Sequence, residues 1–490
     1  MNTVTLLEYT VSFLIIGTLA SYLGGALFPK RERLISGVIA TIALAMSVVS
    51  SFMTLPYLIG GDEMVVLFGF TTWDADLLGW IVMETGLVLA LIVSLYSTVY
   101  MDEDSGTDKF FPLLLLLMVS VIGLSFTFDL FNLYLFFELL SVASFALVAF
   151  RKNQWDPVEA GIKFLVMSAT GSALILLGIA LVYKDFGTLD LNALFQLTSL
   201  RSNPNLWLPI SCFTVGFGIK AALFPLHTWL PDAHAEAPSG ISAMLSGIVI
   251  EIGLFALLRI YFSIANQFAW GQVLIGFGVL TMIGGNVMAL TQKSLKRMLA
   301  YSSVAQMGYI VLGIGIGAAY NVAAGTVGGI FHIVTHAFMK GLAFLCAGAL
   351  IHRIGSGKLD DMKGAGWKMP VTAVTFTIAV MSLAGVPPFS GFMSKLLIYQ
   401  SGIQSGLVIG WVLSFIAIFN SVFSLGYYLP AVGTLYSKTT APRAEHIKEV
   451  PFAMTASMVL LALITLYLGV LPDPVRAWVG QGFALLQGGF

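Results

Sequence analysis

Glu138, Lys163, Lys220, Glu251, Lys340 and Lys395 each sit inside a run of residues otherwise apolar enough to span a bilayer. An ionisable group at that depth costs at least ~2.5 to 3.5 kcal/mol on insertion scales, so such residues are rare and usually mark an ion or proton path. His332 and His336 add two groups that titrate near neutrality, spaced by four with Lys340 four further on, which puts all three on one face of a helix. The chemistry these types share is reversible proton binding. Desolvation makes a lysine less basic and a nearby carboxylate makes it more so, and making or breaking such a pair works as a switch. Two histidines at this spacing could instead hold a metal, but no cysteine or acidic ligand lies beside them in the sequence. Plain hydrogen bonding between helices is the other alternative.

The elements that must position these groups are membrane helices. Of 490 residues 58% are hydrophobic and 10% charged, far from the ~25% charged of soluble domains. Apolar runs of roughly 17 to 25 residues number about fourteen, which makes the fold class an all-α polytopic membrane protein. The first run lacks a basic leader and a small-residue cleavage site, so it reads as a retained helix. A net charge of −1 argues against nucleic-acid binding and a polybasic membrane tether. Cys212 and Cys346 lie in apolar segments without a paired motif and read as small buried hydrophobes.

Lys and Arg fall unevenly between alternate loops, sixteen in one set and four (Lys184, Arg201, Arg259 and Arg476) in the other. The richer set belongs in the cytoplasm, which places both termini on the opposite side.

Segments seven and twelve are interrupted, at Pro225 and Pro231 and at Pro387 and Pro388. Proline removes a donor and clashes with the preceding turn, so both should be discontinuous helices whose freed carbonyls need new partners. Paired interruptions point to an inverted-repeat core. Lys220 and Lys395 are 175 residues apart, or five spans, and an odd number inverts the copies. The expected organisation is three helices in 1–110, a first five-helix repeat in 111–262, a second, inverted one in 270–430, and a loop, last helix and short C-terminus in 431–490.

Five motifs occur in order: Phe128 to Ser144 around Glu138, Lys220 to His234, Ser294 to Tyr309, His332 to Leu345, and Gly385 to Lys395. Together they resemble the antiporter-like subunits shared by respiratory complex I, membrane-bound hydrogenases and Mrp-type sodium/proton antiporters, nearest to the Mrp and hydrogenase types. The resemblance implies a fourteen-helix, proton-translocating subunit in a prokaryotic cell membrane. It implies a pairing of Glu138 with Lys220, a central residue on helix eight or eleven, and an exit at Lys395. It further implies other membrane subunits as partners, a peripheral redox arm in some systems, protons with or without sodium as cargo, and no cofactor or metal in the subunit itself. A stand-alone transporter of a small solute, or a non-pumping membrane anchor for a redox enzyme, are the competing functions.

Glu251 departs from the family pattern, standing where many members carry a helix-eight lysine. A central acidic relay at Glu251 with Lys340 as its basic partner is the expectation. His227, in the seventh span, and Asp232 and His234, with Glu236, after it, are candidates for the proton intake, a simple solvated loop being the alternative for the last three. Lys163 is expected to snorkel to the cytoplasmic face, Arg259 to anchor a helix at the interface, and Asp129 to be structural. Glu84, outside the repeats, has no assigned partner.

Overall fold

The computed structural model describes residues 3–59, 61, 63–68, 71–200, 204–265 and 269–487. Arg201 of the loop charge count lies outside the described residues.

Because lipid offers no hydrogen bonds, apolar segments satisfy their backbone internally and become rods. The first six are α1 (Thr3–Leu27), α2 (Glu32–Phe52), α3 (Leu77–Tyr100), α4 (Thr107–Phe126), α5 (Leu130–Val148) and α6 (Trp155–Phe186). The interrupted seventh consists of α7a (Trp207–Lys220) and α7b (Leu230–Glu236). It is followed by α8 (Ser239–Ile264), α9 (Trp270–Leu290), α10 (Leu295–Tyr320) and α11 (Ala323–Ile354). The interrupted twelfth is α12a (Pro370–Ala384) and α12b (Ser390–Gln404), before α13 (Val408–Leu435), α14 (Phe452–Val470) and α15 (Asp473–Gln487). Among the described residues twelve helices are long and apolar enough to cross a membrane as single rods. One bent pair, Leu359–Trp367 with Pro370–Ala384 at 115°, passes the same test together, so the described residues hold up to thirteen such spans against the fourteen expected.

One element was not expected. Between α2 and α3 lies an antiparallel hairpin, β1 (Glu63–Leu67) and β2 (Thr71–Ala75), with Val65 opposite Trp73. Both of these residues are buried, and the β-branched and aromatic content of the two strands suits a half-buried pleated surface.

Loop contacts follow the alternation of ends. Arg151 pairs with Asp104 at 2.8 Å and Ser294 bridges Lys358 at the end bearing the basic loops. At the other end Asp129 bridges Asp190, and Asn192 donates to Asp74 at 2.7 Å.

The helices form an inner and an outer set. The apolar stretches of α8 and α11 are buried throughout and those of α3 and α10 nearly so, whereas those of α1, α2, α5, α6, α9, α13 and α14 have fewer than half of their residues buried. The ionisable residues Glu251, His332, His336 and Lys340 therefore lie on the two innermost rods, where lipid does not reach them. The two breaks sit differently relative to their lysines. Pro225 and Pro388 are 163 positions apart, while Lys220 and Lys395 are 175 apart, because Lys220 precedes its break and Lys395 follows.

Candidate functional site

With α8 and α11 inside the bundle, their polar groups must find partners in the protein. Glu251 on α8 meets His336 on α11, with Oε1 and Nδ1 2.5 Å apart and neither side chain exposed. A π-helical turn at Leu245–Val249 ends two residues before Glu251. Such turns are frequent at functional sites. Oε2 of Glu251 and Nε2 of His336 make no hydrogen bond, so each end of the pair is open to a further partner.

One turn before His336, the His332 ring lies 6.0 Å from it, centroid to centroid. His332 Nδ1 is 2.7 Å from Ser394 Oγ and Nε2 is 3.0 Å from Gln306 Oε1. Gln306 Nε2 donates to the Leu383 carbonyl at 3.0 Å, a partner that only the NH2 end of the amide can approach. Its oxygen therefore accepts from His332, which places the ring proton on Nε2 and makes Nδ1 the acceptor of the Ser394 hydroxyl. The Leu383 carbonyl is available because its helical donor would be the N–H of residue 387, a proline. The same carbonyl receives Lys395 Nζ at 2.7 Å. Lys395 also reaches Ser421 Oγ at 3.1 Å and sits 4.3 Å from the centroid of the Tyr309 ring. Ala384, likewise freed by Pro388, accepts from Ser421 Oγ at 2.8 Å. Gly385 has φ +78°, and a Cβ there would lie 3.2 Å from the Lys395 chain, so the turn needs a glycine twice over.

At the other end of the row, Lys220 closes α7a. Its ammonium donates to Ser141 Oγ on α5 at 2.7 Å and to Ser168 Oγ on α6 at 2.6 Å. Gly253, two residues past Glu251, packs on this lysine, since a Cβ there would be 3.4 Å from Lys220 Cβ. Glu138 lies on α5 one turn before Ser141, half-buried, and its Oε1 has no hydrogen-bond partner. Glu138 and Lys220 thus share a neighbourhood without forming the ion pair that the resemblance implied.

The residues matching the family model for NADH:quinone oxidoreductase/Mrp antiporter, TM, are 127–424, which include every group just described. This chain belongs to that family. The F(420)H(2) dehydrogenase subunit N of Methanosarcina mazei is 34% identical over 467 residues, covering 92% of this chain and 93% of the relative. A chain of the archaeal membrane-bound sulfane sulfur reductase, a respiratory membrane complex, superimposes with a TM-score of 0.86 at 26% identity, over 98% of each chain. A chain of the Mrp complex from Dietzia sp. DQ12-45-1b gives a TM-score of 0.87 at 23% identity, again over 98% of each chain, and shares the fold.

Within this antiporter-family fold, several sequence expectations change. Lys340 does not meet Glu251. It donates to the Leu299 carbonyl at 2.7 Å and to the Ser302 hydroxyl on α10, one helical turn along from His336, which is the residue level with Glu251. The carboxylate missing beside the histidines in the sequence is supplied by α8 in space. Arg259 is not at an interface. It is 2% exposed, bonds Asp76 at 2.6 Å and the Ser125 carbonyl at 2.5 Å, and stacks on Phe128. Asp129 caps α5, accepting from the Phe131 and Asn132 amides, as a structural residue would.

Among the intake candidates, Asp232 pairs with Lys163 at 3.0 Å and Arg297 at 2.9 Å, in a cavity of about 250 Å³ also lined by Glu159 and Glu236. Lys163 stays about half exposed, as a snorkelling lysine should. His227 and His234 are not in a solvated loop. Both are buried, and His234 stacks on Phe344 at 4.6 Å with neither ring nitrogen hydrogen-bonded. Sequence reasoning missed Ser141, Ser168, Gln306 and Lys296, the last buried and donating to the Ala235 and Ala237 carbonyls at the end of α7b. Gln306 and Lys296 stand within the quoted Ser294 to Tyr309 motif and could have been singled out there. Ser141 likewise stands within the Phe128 to Ser144 motif, whereas Ser168 carries no sequence signal.

Proposed function

We propose that this chain is a proton-translocating membrane subunit of a multisubunit complex, moving protons along a buried row from Lys220 through Glu251 and His336 to His332 and Lys395. The observation that carries this reading is the row itself. Ionisable groups from α7a, α8, α11 and α12b follow one another through the interior of the bundle: Gly253 of α8 packs on Lys220, Glu251 meets His336, and His332 and Lys395 are linked by Gln306 and by the Leu383 carbonyl that a helix break frees.

Each group has a definite task. Lys220, held by two neutral serines, is free to exchange a partnership with Glu138 during turnover. Glu251 and His336 form an acceptor pair in which the proton can reside on either side. An imidazole against a lone carboxylate suits a proton better than the all-oxygen shell that a hard cation takes. Lys395 is the outlet, and the cavity at Asp232 and Glu236 is the intake on the cytoplasmic side, where the basic loops lie. The partners are further membrane subunits of the same assembly. Electron transfer in a peripheral redox arm, or counter-movement of sodium, supplies the drive from those partners. The two five-helix repeats, 111–262 and 270–430, provide the two half-channels, with both termini on the non-cytoplasmic side of a prokaryotic cell membrane.

The test is proton uptake by vesicles carrying the assembled complex. Lys220→Ala and Lys395→Ala are expected to abolish uptake while leaving assembly intact. Full uptake in either variant would leave the chain a membrane anchor.

A further inference from the structure

A second carboxylate site lies apart from the proton row. Glu84 on α3 is 8% exposed, with Ser51 donating to its Oε2 at 2.6 Å. It lines a cavity of about 180 Å³ whose wall includes Phe52, Trp80, Phe338, Tyr467 and Trp478. Trp80 and Trp478 meet edge to face at 6.0 Å, and Phe52 lies 5.9 Å from Trp80. The Trp80 N–H is already taken by the Ser51 carbonyl at 2.9 Å, so this indole offers the cavity its ring and not its donor. Phe338 comes from α11 two residues from both His336 and Lys340, on the far side of that helix from the row.

A carboxylate inside a ring of aromatic faces is the arrangement that takes an organic cation: the charge pairs with the carboxylate and the rings add cation–π attraction. Depth narrows the class. Glu84 is seven residues from the start of α3, roughly 10 Å along the axis, at the end of the bundle away from the basic loops. Two tryptophans at such a level mark the zone of lipid headgroups. The Ser51 hydroxyl is spent on Glu84, so the carboxylate's remaining lone pairs call for a donor, which a primary ammonium supplies and a quaternary one does not.

We propose that this cavity binds the primary-ammonium headgroup of a membrane lipid, with Glu84 as its counter-ion and Trp80 and Trp478 as its aromatic walls. The site fixes one lipid between α3, α14 and α15, and it does not depend on the proton-relay reading.

The experiment is native mass spectrometry of the purified full chain, titrated with dihexanoyl phosphatidylethanolamine and, separately, dihexanoyl phosphatidylglycerol. The wild-type chain is expected to retain the amine lipid about tenfold or more over the anionic one, and Glu84→Gln to erase that preference, as loss of one charge-assisted bond would. Trp478→Leu, on the last helix, is expected to weaken the amine lipid several-fold and serves if Glu84→Gln fails to fold. Equal retention of both lipids by the wild type, or an unchanged preference in the variant that folds, would overturn the proposal.

Discussion

Glu251 Oε1 and His336 Nδ1 lie 2.5 Å apart between the two most buried helices of the protein, and each side chain keeps one polar atom unpaired. The resemblance implied a lysine at the position of Glu251, so the behaviour of this pair tests an acidic relay in its place.

Glu251→Gln keeps an oxygen for the His336 N–H but cannot exchange a proton. Since a positioned acid–base group contributes about 10²–10⁴-fold, proton uptake by the reconstituted complex should fall by about a hundredfold or more while the melting temperature stays near wild type. His336→Ala instead leaves a buried acid without its partner and should cost about 3–5 kcal/mol if the carboxylate stays charged. Thermal unfolding of both single variants and of the double variant distinguishes these outcomes. Non-additivity of about 0.5–3 kcal/mol is expected for a directly coupled pair, and simple addition would show that the contact carries no energy.

Lys220 is held by serines and not by Glu138. Ser141→Ala and Ser168→Ala should therefore each destabilise the chain by about 1.5–3 kcal/mol, the worth of a hydrogen bond to a charged group. Glu138→Gln should leave stability almost unchanged and slow uptake. A Glu138→Gln variant that melts earlier than either serine variant would mean that the ion pair dominates the resting state.

Gln306 sets the tautomer of His332. Nitrogen-15 spectra of the labelled histidine should show the proton on Nε2 in the wild type and a mixture of tautomers in Gln306→Leu, with uptake reduced alongside. A single unchanged tautomer in that variant would assign the control to Ser394 alone.

Arg259 joins the end of α8 to the start of α3 through Asp76. Arg259→Met strands a buried carboxylate, at a cost of about 3–5 kcal/mol. Arg259→Lys should recover only part of the loss, because an ammonium cannot both reach the Ser125 carbonyl and stack on Phe128 as the planar guanidinium does. Melting temperatures of the two variants, with Asp76→Asn as the partner control, check this.

The spans, the two breaks and the ionisable residues were legible in the sequence, because lipid enforces apolar runs of fixed length and makes each buried charge conspicuous. Pro387 and Pro388 even specify which carbonyls go free, since a missing N–H is a property of the residue itself. What the sequence could not decide is which partner each charge takes. A helix presents its side chains around a full circle, and only packing selects the face. α8 is set against α11 at the level where His336 and not Lys340, one turn further along the same face, meets Glu251, α5 and α6 bring serines to Lys220 ahead of Glu138, and Asp76 and the Ser125 carbonyl meet Arg259 inside the bundle, which makes it a buried clamp. Those choices come from contacts between helices far apart in the chain. The residue types fixed what chemistry is possible, and the tertiary structure decided between which groups it can occur.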